Sequence, residues 1–387
     1  MPIPLPTRET VNLERPDAAE AQTLADGIAS AVAGAEGLMP VQRSLILALF
    51  PALTDHTVTL DDRPAMTPEE LASALARRNL QFRSRAVQMM LLCALVRHPL
   101  PDDVAENVAS FAQELGVEDG LVDVAREFAH GSLGLAAHDF IRSGYEGTWD
   151  AAESAAAVHS SRQLGEAWEF SVDDPGLAER WAALEDLPSD SIGRKVWEMY
   201  QSRGFTFPGT PGSAPPLLAQ HDWVHVLGDY GTTVESEVEV FGLIARANDD
   251  PHAFSLLAMV ISLFETGYLA TGAGLFQSSV GHFSASDGMA ARLSDALRRG
   301  ALCHDNKTGS DSIDFLALDW LSLADQPVEA LRARFSLAPK SEEAVSAGSV
   351  GPWEKGGISP FQINAGREAA EKLGKTYDAH GASVATS

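Results

Sequence analysis

Two histidines four positions apart, the first followed directly by an aspartate, make up the run His221-Asp222-Trp223-Val224-His225, and Glu237 follows after eleven intervening residues. Imidazole and carboxylate are the side chains that bind borderline and hard divalent ions. On a helix over residues 219–227, turning by about 100° per residue, His221, Asp222 and His225 fall at about 0°, 100° and 40°. All three then share one side, with the imidazoles a turn apart, while Trp223 and Val224 point elsewhere and can pack. The run Gly228-Asp229-Tyr230-Gly231 breaks that helix, because glycine admits turns at low steric cost. Thr232 with Glu235 has the form of a capping box for a second helix. Glu237, in its first or second turn, could swing back towards the histidines. Glu239 lies on a different face, and Glu235 is accounted for by capping.

Two imidazoles with one or two carboxylates suit zinc, the first expectation, and also iron(II) or manganese. A catalytic ion would keep a position open for water or substrate, whereas a structural zinc would close its shell. The competing reading makes His221 and His225 surface or hydrogen-bonded histidines and the nearby acids an expression of an acidic chain. The metalloprotease sequence H-E-x-x-H is absent, since the shorter Asp222 occupies the glutamate position. Other residues carry weaker signals. Arg194 and Arg332 could neutralise a carboxylate or make ordinary ion pairs and caps, and His304-Asp305-Asn306-Lys307 reads as a polar turn. Cys303 has no demonstrated base beside it and reads as a lone buried thiol, and His130 and His138 could share a helix face that Gly131 and Gly134 weaken. There is no nucleophile elbow, phosphate-cradling loop or dinucleotide fingerprint.

The elements that must position these residues read as all-α. Residues 16–145 carry helical periodicity almost throughout: DAAEAQTLADGIASAV after Pro16, a cap at Thr67-Pro68-Glu69-Glu70, a continuous helix through ALARRNLQFRSRAVQMMLLCALVRH, and the segments DDVAENVASFAQELG and VEDGLVDVAREFAHGSLGLAAHDFI. The expected organisation is an N-terminal helical bundle over 1–145, available for partner binding, and a linker or peripheral helices over 146–184. A second helical domain over 185–340 holds the metal motif, and a loosely ordered tail over 341–387, loose or draped over the folded body, carries one helix near 365–377. The stretch Phe254–Phe264 has no charge, but it is shorter than the ~18 residues a membrane span needs. Its Leu257, Val260, Ile261 and Phe264 would either build the core or line an apolar channel.

Composition bounds the partners. The chain has 387 residues, and 54 acidic residues against 28 Lys and Arg give a formal charge of -26, which opposes capture of nucleic acid or anionic lipid. The two cysteines, Cys93 and Cys303, form no C-x-x-C and suggest a reducing compartment. The amino-terminal residues lack the pattern of a secretory or organellar leader. The expected location is therefore the cytoplasm, with at most transient membrane contact; a homodimer is one expected assembly.

At the metal motif the chain resembles the coenzyme Q (ubiquinone) biosynthesis protein 4 family, whose hallmark is H-D-x-x-H, eleven residues, then E. The likeness extends upstream to Leu187-Pro188, Ser191-Ile192-Gly193-Arg194, Trp197 and Tyr200, and downstream through FLALDWLSLADQPVEALRARFSLAP with Trp320, Pro327 and Arg332. It thus covers residues 185–339. The resemblance implies a helical domain with an apolar cavity for the prenyl tail of a quinone precursor, and a divalent ion held by His221, Asp222, His225 and Glu237. It further implies oxidative decarboxylation of a substituted benzoate ring, with a hydroxyl placed at that carbon. The alternatives are a non-catalytic lipid- or quinone-binding scaffold that recruits biosynthetic protein partners, and an interaction protein working through its first helical block. Two positions depart from the family pattern: Ser236 replaces a glycine, and Asp229 adds a carboxylate. Residues 16–145 faintly resemble the tellurite-resistance (TerB-like) helical domain.

Overall fold

The computed structural model describes residues 15–60, 65–97, 100–118, 122, 173–211, 213, 219–248, 257, 260–261, 265, 283–286, 288–378 and 385–386. They are predominantly helical. Among the described residues, five helices build the N-terminal block: α1 (Ala18–Val32), α2 (Pro40–Thr54), α3 (Pro68–Ala74), α4 (Leu80–Leu95) and α5 (Asp102–Glu114). Their starts follow side-chain chemistry. Asp17 accepts from the Glu20 amide at 2.9 Å, and the expected cap at Thr67, with proline at the first helical position of α3, is a reciprocal capping box with Glu70.

Two local features differ from the sequence reading. The helix expected to run unbroken through residues 74–98 stops at a turn, because the Asn79 side chain accepts from the Phe82 amide at 2.8 Å and starts α4 afresh. Helix α2 carries Pro51 in its interior. Proline cannot donate to the carbonyl four residues back, and that carbonyl belongs to Leu47 on the exposed side, where water can serve it.

From Ala86 to Val96, α4 is buried on all sides, which makes it the central helix of this block. The segment carrying His130 and His138 lies outside the described residues.

The second half begins with α6 (Pro175–Ala182), within the region read as a linker or peripheral helices, and continues through α7 (Ile192–Arg203), α8 (Gln220–Gly228), α9 (Val234–Ala247), α10 (Met289–Ala301) and α11 (Val328–Arg334). Helices α9 and α10 pack closely, and α10 also lies on α2. The apolar core is therefore continuous across the two blocks and runs from Ala21 to Leu337. Gly300 permits the α9–α10 contact, since a Cβ there would stand 2.5 Å from the Leu243 carbonyl oxygen.

Residues beyond 340, expected to be loose or draped over the folded body, are packed against it. Helix α12 (Glu342–Ser346) lies against α10, and α13 (Pro360–Lys372) lies along α7. Ser359 and Gln362 form a capping box with Pro360 between them, so α13 starts before the expected residue 365. The physical reason for the packing is polar as well as apolar: the fully buried Arg203 donates to the Pro352 carbonyl, and the Tyr377 hydroxyl donates to the Ser202 carbonyl at 2.9 Å. Lys375–Thr376 and Ala385–Thr386 form a short antiparallel pair. No helix among the described residues is long and apolar enough to cross a membrane.

Candidate metal centre

Helix α8 carries both histidines and ends where Asp229 adopts the left-handed conformation, with φ 60° and ψ 46°. Its last carbonyls are met by cations. Arg332 donates to Val226 and Leu227 at 3.1 and 2.8 Å, Arg299 to Gly228 at 2.9 Å, and Lys340 to Asp229 at 2.6 Å. Positive charge at a helix C-terminus opposes the negative end of its dipole. Arg332 is thus a cap that also pairs with Glu329, and Arg194 pairs with Glu198 at 3.1 Å and lies over the Trp197 ring. Both have taken the structural option.

Helix α9 supplies Glu237, but Thr233 starts it, not Thr232. The Thr233 side chain accepts from the Ser236 amide at 3.4 Å. Thr232 is drawn elsewhere: its hydroxyl accepts from Arg203 Nε and donates to Gln362 Oε1, each at 2.9 Å. A serine or threonine caps only if its hydroxyl is free to turn towards the helix, and tertiary bonds hold that of Thr232.

The two helices bring His221, His225 and Glu237 together. One donor atom from each lies within 4.8 Å of the other two, and all three residues are buried. Glu237 spans the pair, with Oε2 3.3 Å from His221 Nε2 and Oε1 3.2 Å from His225 Nε2. The imidazole centroids are 5.3 Å apart, and Phe241 stacks on His221 at 5.2 Å. Asp222 stands beside this set. Its Oδ1 lies 3.5 Å from His221 Nε2, and its Oδ2 accepts from the Tyr200 hydroxyl at 2.5 Å.

The protonation states follow from the partners. His225 Nδ1 lies 2.6 Å from the Gly231 carbonyl oxygen, which can only accept, so Nδ1 carries a hydrogen. In the neutral ring Nε2 is then a lone pair. That atom is buried and makes no hydrogen bond, yet it faces a carboxylate oxygen. Two acceptors at that separation repel unless a proton or a cation sits between them. Burial would push the Glu237 carboxyl up, but His225 and then His221, when their rings are protonated, outweigh it and hold it at about 2. Asp222 is shifted the other way, upward by burial despite both histidines, and burial and Asp222 together push the Tyr200 hydroxyl far above its ordinary range. Three converging donors, one of them an orphaned imidazole nitrogen oriented by a backbone carbonyl, fit a divalent ion.

The remaining expected residues divide. Leu257, Val260 and Ile261 are buried, and Phe264 lies outside the described residues. Trp223 and Val224 pack, with Trp223 between Trp181 and Trp320 at 5.4 and 5.8 Å. Asp229 pairs with Lys340 at 3.0 Å, so its charge is committed there. Glu239 pairs with Arg292 at 2.6 Å. The Cys303 thiol is pushed up to about 12 by burial. His304 meets Asp311 at 2.7 Å on the exposed side. Sequence reasoning did not find Tyr200 as a partner of Asp222, nor Gly231 as a partner of His225. A tyrosine 22 residues upstream leaves no local signal, and a backbone carbonyl leaves none at all.

No family model, curated protein or solved structure matches this chain.

Proposed function

We propose that this chain is a divalent-metal protein that acts on an aromatic carboxylic acid bearing an apolar tail, as its resemblance to the coenzyme Q biosynthesis protein 4 family implies. The observation that carries the metal part is the buried His225 Nε2, which makes no hydrogen bond and faces Glu237. His221, His225 and Glu237 would hold the ion, with Asp222 adjacent and completing the motif. A bound divalent ion supplies a Lewis acid for a carboxylate or phenolate oxygen. Zinc, iron(II) and manganese all suit this donor set.

The chain's own residues do the positioning. Gly231 orients His225, Tyr200 holds the outer oxygen of Asp222 as a donor, and Phe241 shields His221 from water. Leu257, Val260 and Ile261 are the nominated wall for the tail. In the proposed reaction the ring–carboxyl bond breaks and carbon dioxide leaves. One atom of dioxygen becomes the new ring hydroxyl, and the other leaves as water after taking two electrons and two protons from a reductant.

The test pairs metal analysis with turnover. Purified protein is assayed for bound zinc, iron and manganese, then incubated with a prenylated hydroxybenzoate, dioxygen and reductant while ring product is followed by mass spectrometry. His225→Ala is expected to lose both ion and product. Product formation that survives loss of the ion would sink the proposal. Tight binding of the substrate with no turnover would favour the scaffold alternative.

A further inference from the structure

Residues 229–233 join the ligand helices, and the segment after residue 349 grips the Gly231-Thr232 stretch of this link from outside. The Gly231 amide donates to the Val350 carbonyl at 2.8 Å, and the Thr232 amide donates to the Gly357 carbonyl at 2.8 Å. The Gln362 amide nitrogen donates to the Thr232 carbonyl at 2.8 Å, and its oxygen accepts from the Thr232 hydroxyl at 2.9 Å. Arg203, fully buried, ties the same hydroxyl to the Pro352 carbonyl.

Both ends of this link lead to metal donors. The Gly231 carbonyl is the acceptor that sets the orientation and tautomer of His225. Thr233, the next residue, caps α9, and its carbonyl accepts from the Glu237 amide at 2.9 Å. The contact is also close in the steric sense. A Cβ on Gly231 would stand 2.6 Å from Gly357 Cα and 2.7 Å from its oxygen. Any shift of residues 350–357 is therefore felt by the peptide that holds His225.

We infer that residues 350–362 are a positioning element of the metal centre, setting the His225 ring and the start of the Glu237 helix through Gly231 and Thr232. This rests on the metal reading above. None of these residues touches the ion position; they act through hydrogen bonds to the groups that do. Removing partners of this kind weakens metal binding by ~10- to ~100-fold in sites where it has been measured.

The experiment is cobalt(II) titration of the full chain, with affinity from chelator competition and site geometry from the visible ligand-field bands. Two variants perturb the grip without touching a ligand. Gly357→Ala would drive a methyl into the Gly351 carbonyl, and Gln362→Glu replaces the donor to the Thr232 carbonyl with a carboxylate oxygen. Ala105→Gly, in α5, is the control for stability lost elsewhere. Nitrogen-15 NMR of the His225 ring reports its tautomer in the metal-free protein.

The expected result is cobalt binding ~10-fold weaker or worse in both grip variants, with altered bands and a shifted His225 signal, while Ala105→Gly binds as wild type. Wild-type affinity, bands and His225 signal in Gln362→Glu would overturn the coupling, even if Gly357→Ala fails to fold. A wild-type protein that takes up no cobalt would overturn the metal reading as well, which separates the two failures.

Discussion

Glu237→Gln keeps the shape of the side chain and one carbonyl oxygen while removing the charge that spans both imidazoles, at 3.3 and 3.2 Å. A contact to a buried charged group contributes ~1.5–3 kcal/mol, which converts to a ~10- to ~150-fold loss of ion affinity at ~1.4 kcal/mol per decade. With free ion at ~1,000 times its dissociation constant, the wild-type protein gains ~4 kcal/mol of stability from binding. The weakened variant at the same ion concentration would gain ~1–2.5 kcal/mol by the same relation. At about 1.2 °C per kcal/mol for a chain of this size, chelation should lower the wild-type Tm by ~5 °C and the variant Tm by only ~1–3 °C. The assay is a thermal melt of each protein with zinc and with excess chelator. A wild-type Tm that does not respond to chelator, or a variant that responds as fully as wild type, would refute the reasoning.

Three further outcomes are expected. Tyr200→Phe strips the donor from the buried Asp222 and should cost ~1–3 kcal/mol in urea unfolding. Thr233→Ala should cost ~1 kcal/mol as the loss of an N-cap, a loss that Glu235→Ala would equal only if the Thr232 box existed. Asp305 is held far below its ordinary value chiefly by hydrogen bonds from Arg334, at 3.0 and 2.9 Å. A lowered carboxyl contributes stability that is complete above its unfolded value of about 4 and is lost as pH falls through the folded one. Urea melts over the acid range should therefore fall less steeply for Asp305→Asn than for wild type.

What the sequence determined by itself is what periodicity and local chemistry encode. Helical spacing marked α1, α4 and α5, and Thr67 followed by Pro68 announced the cap of α3 because both signals are adjacent in sequence. The donors His221, His225 and Glu237 were legible for a related reason: the histidines are a turn apart on one helix, and a glycine-containing break returns the chain towards them. The helix break at Asn79 was hidden by a run of good helix formers on either side.

Tertiary structure decided the rest, because the deciding partners are remote. Whether Thr232 or Thr233 caps α9 turned on Arg203 and Gln362, which occupy the Thr232 hydroxyl from 29 and 130 residues away. The polar composition after residue 340 leaves open whether that chain is loose or draped, and the buried Arg203 draws it onto the link between the ligand helices. Asp229 looked like an added carboxylate at the metal motif until Lys340 was seen to hold it. Ligand type and spacing are local properties, so sequence could name the donors. Their orientation depends on a carbonyl and on what pins it, and only the packed chain brings those together.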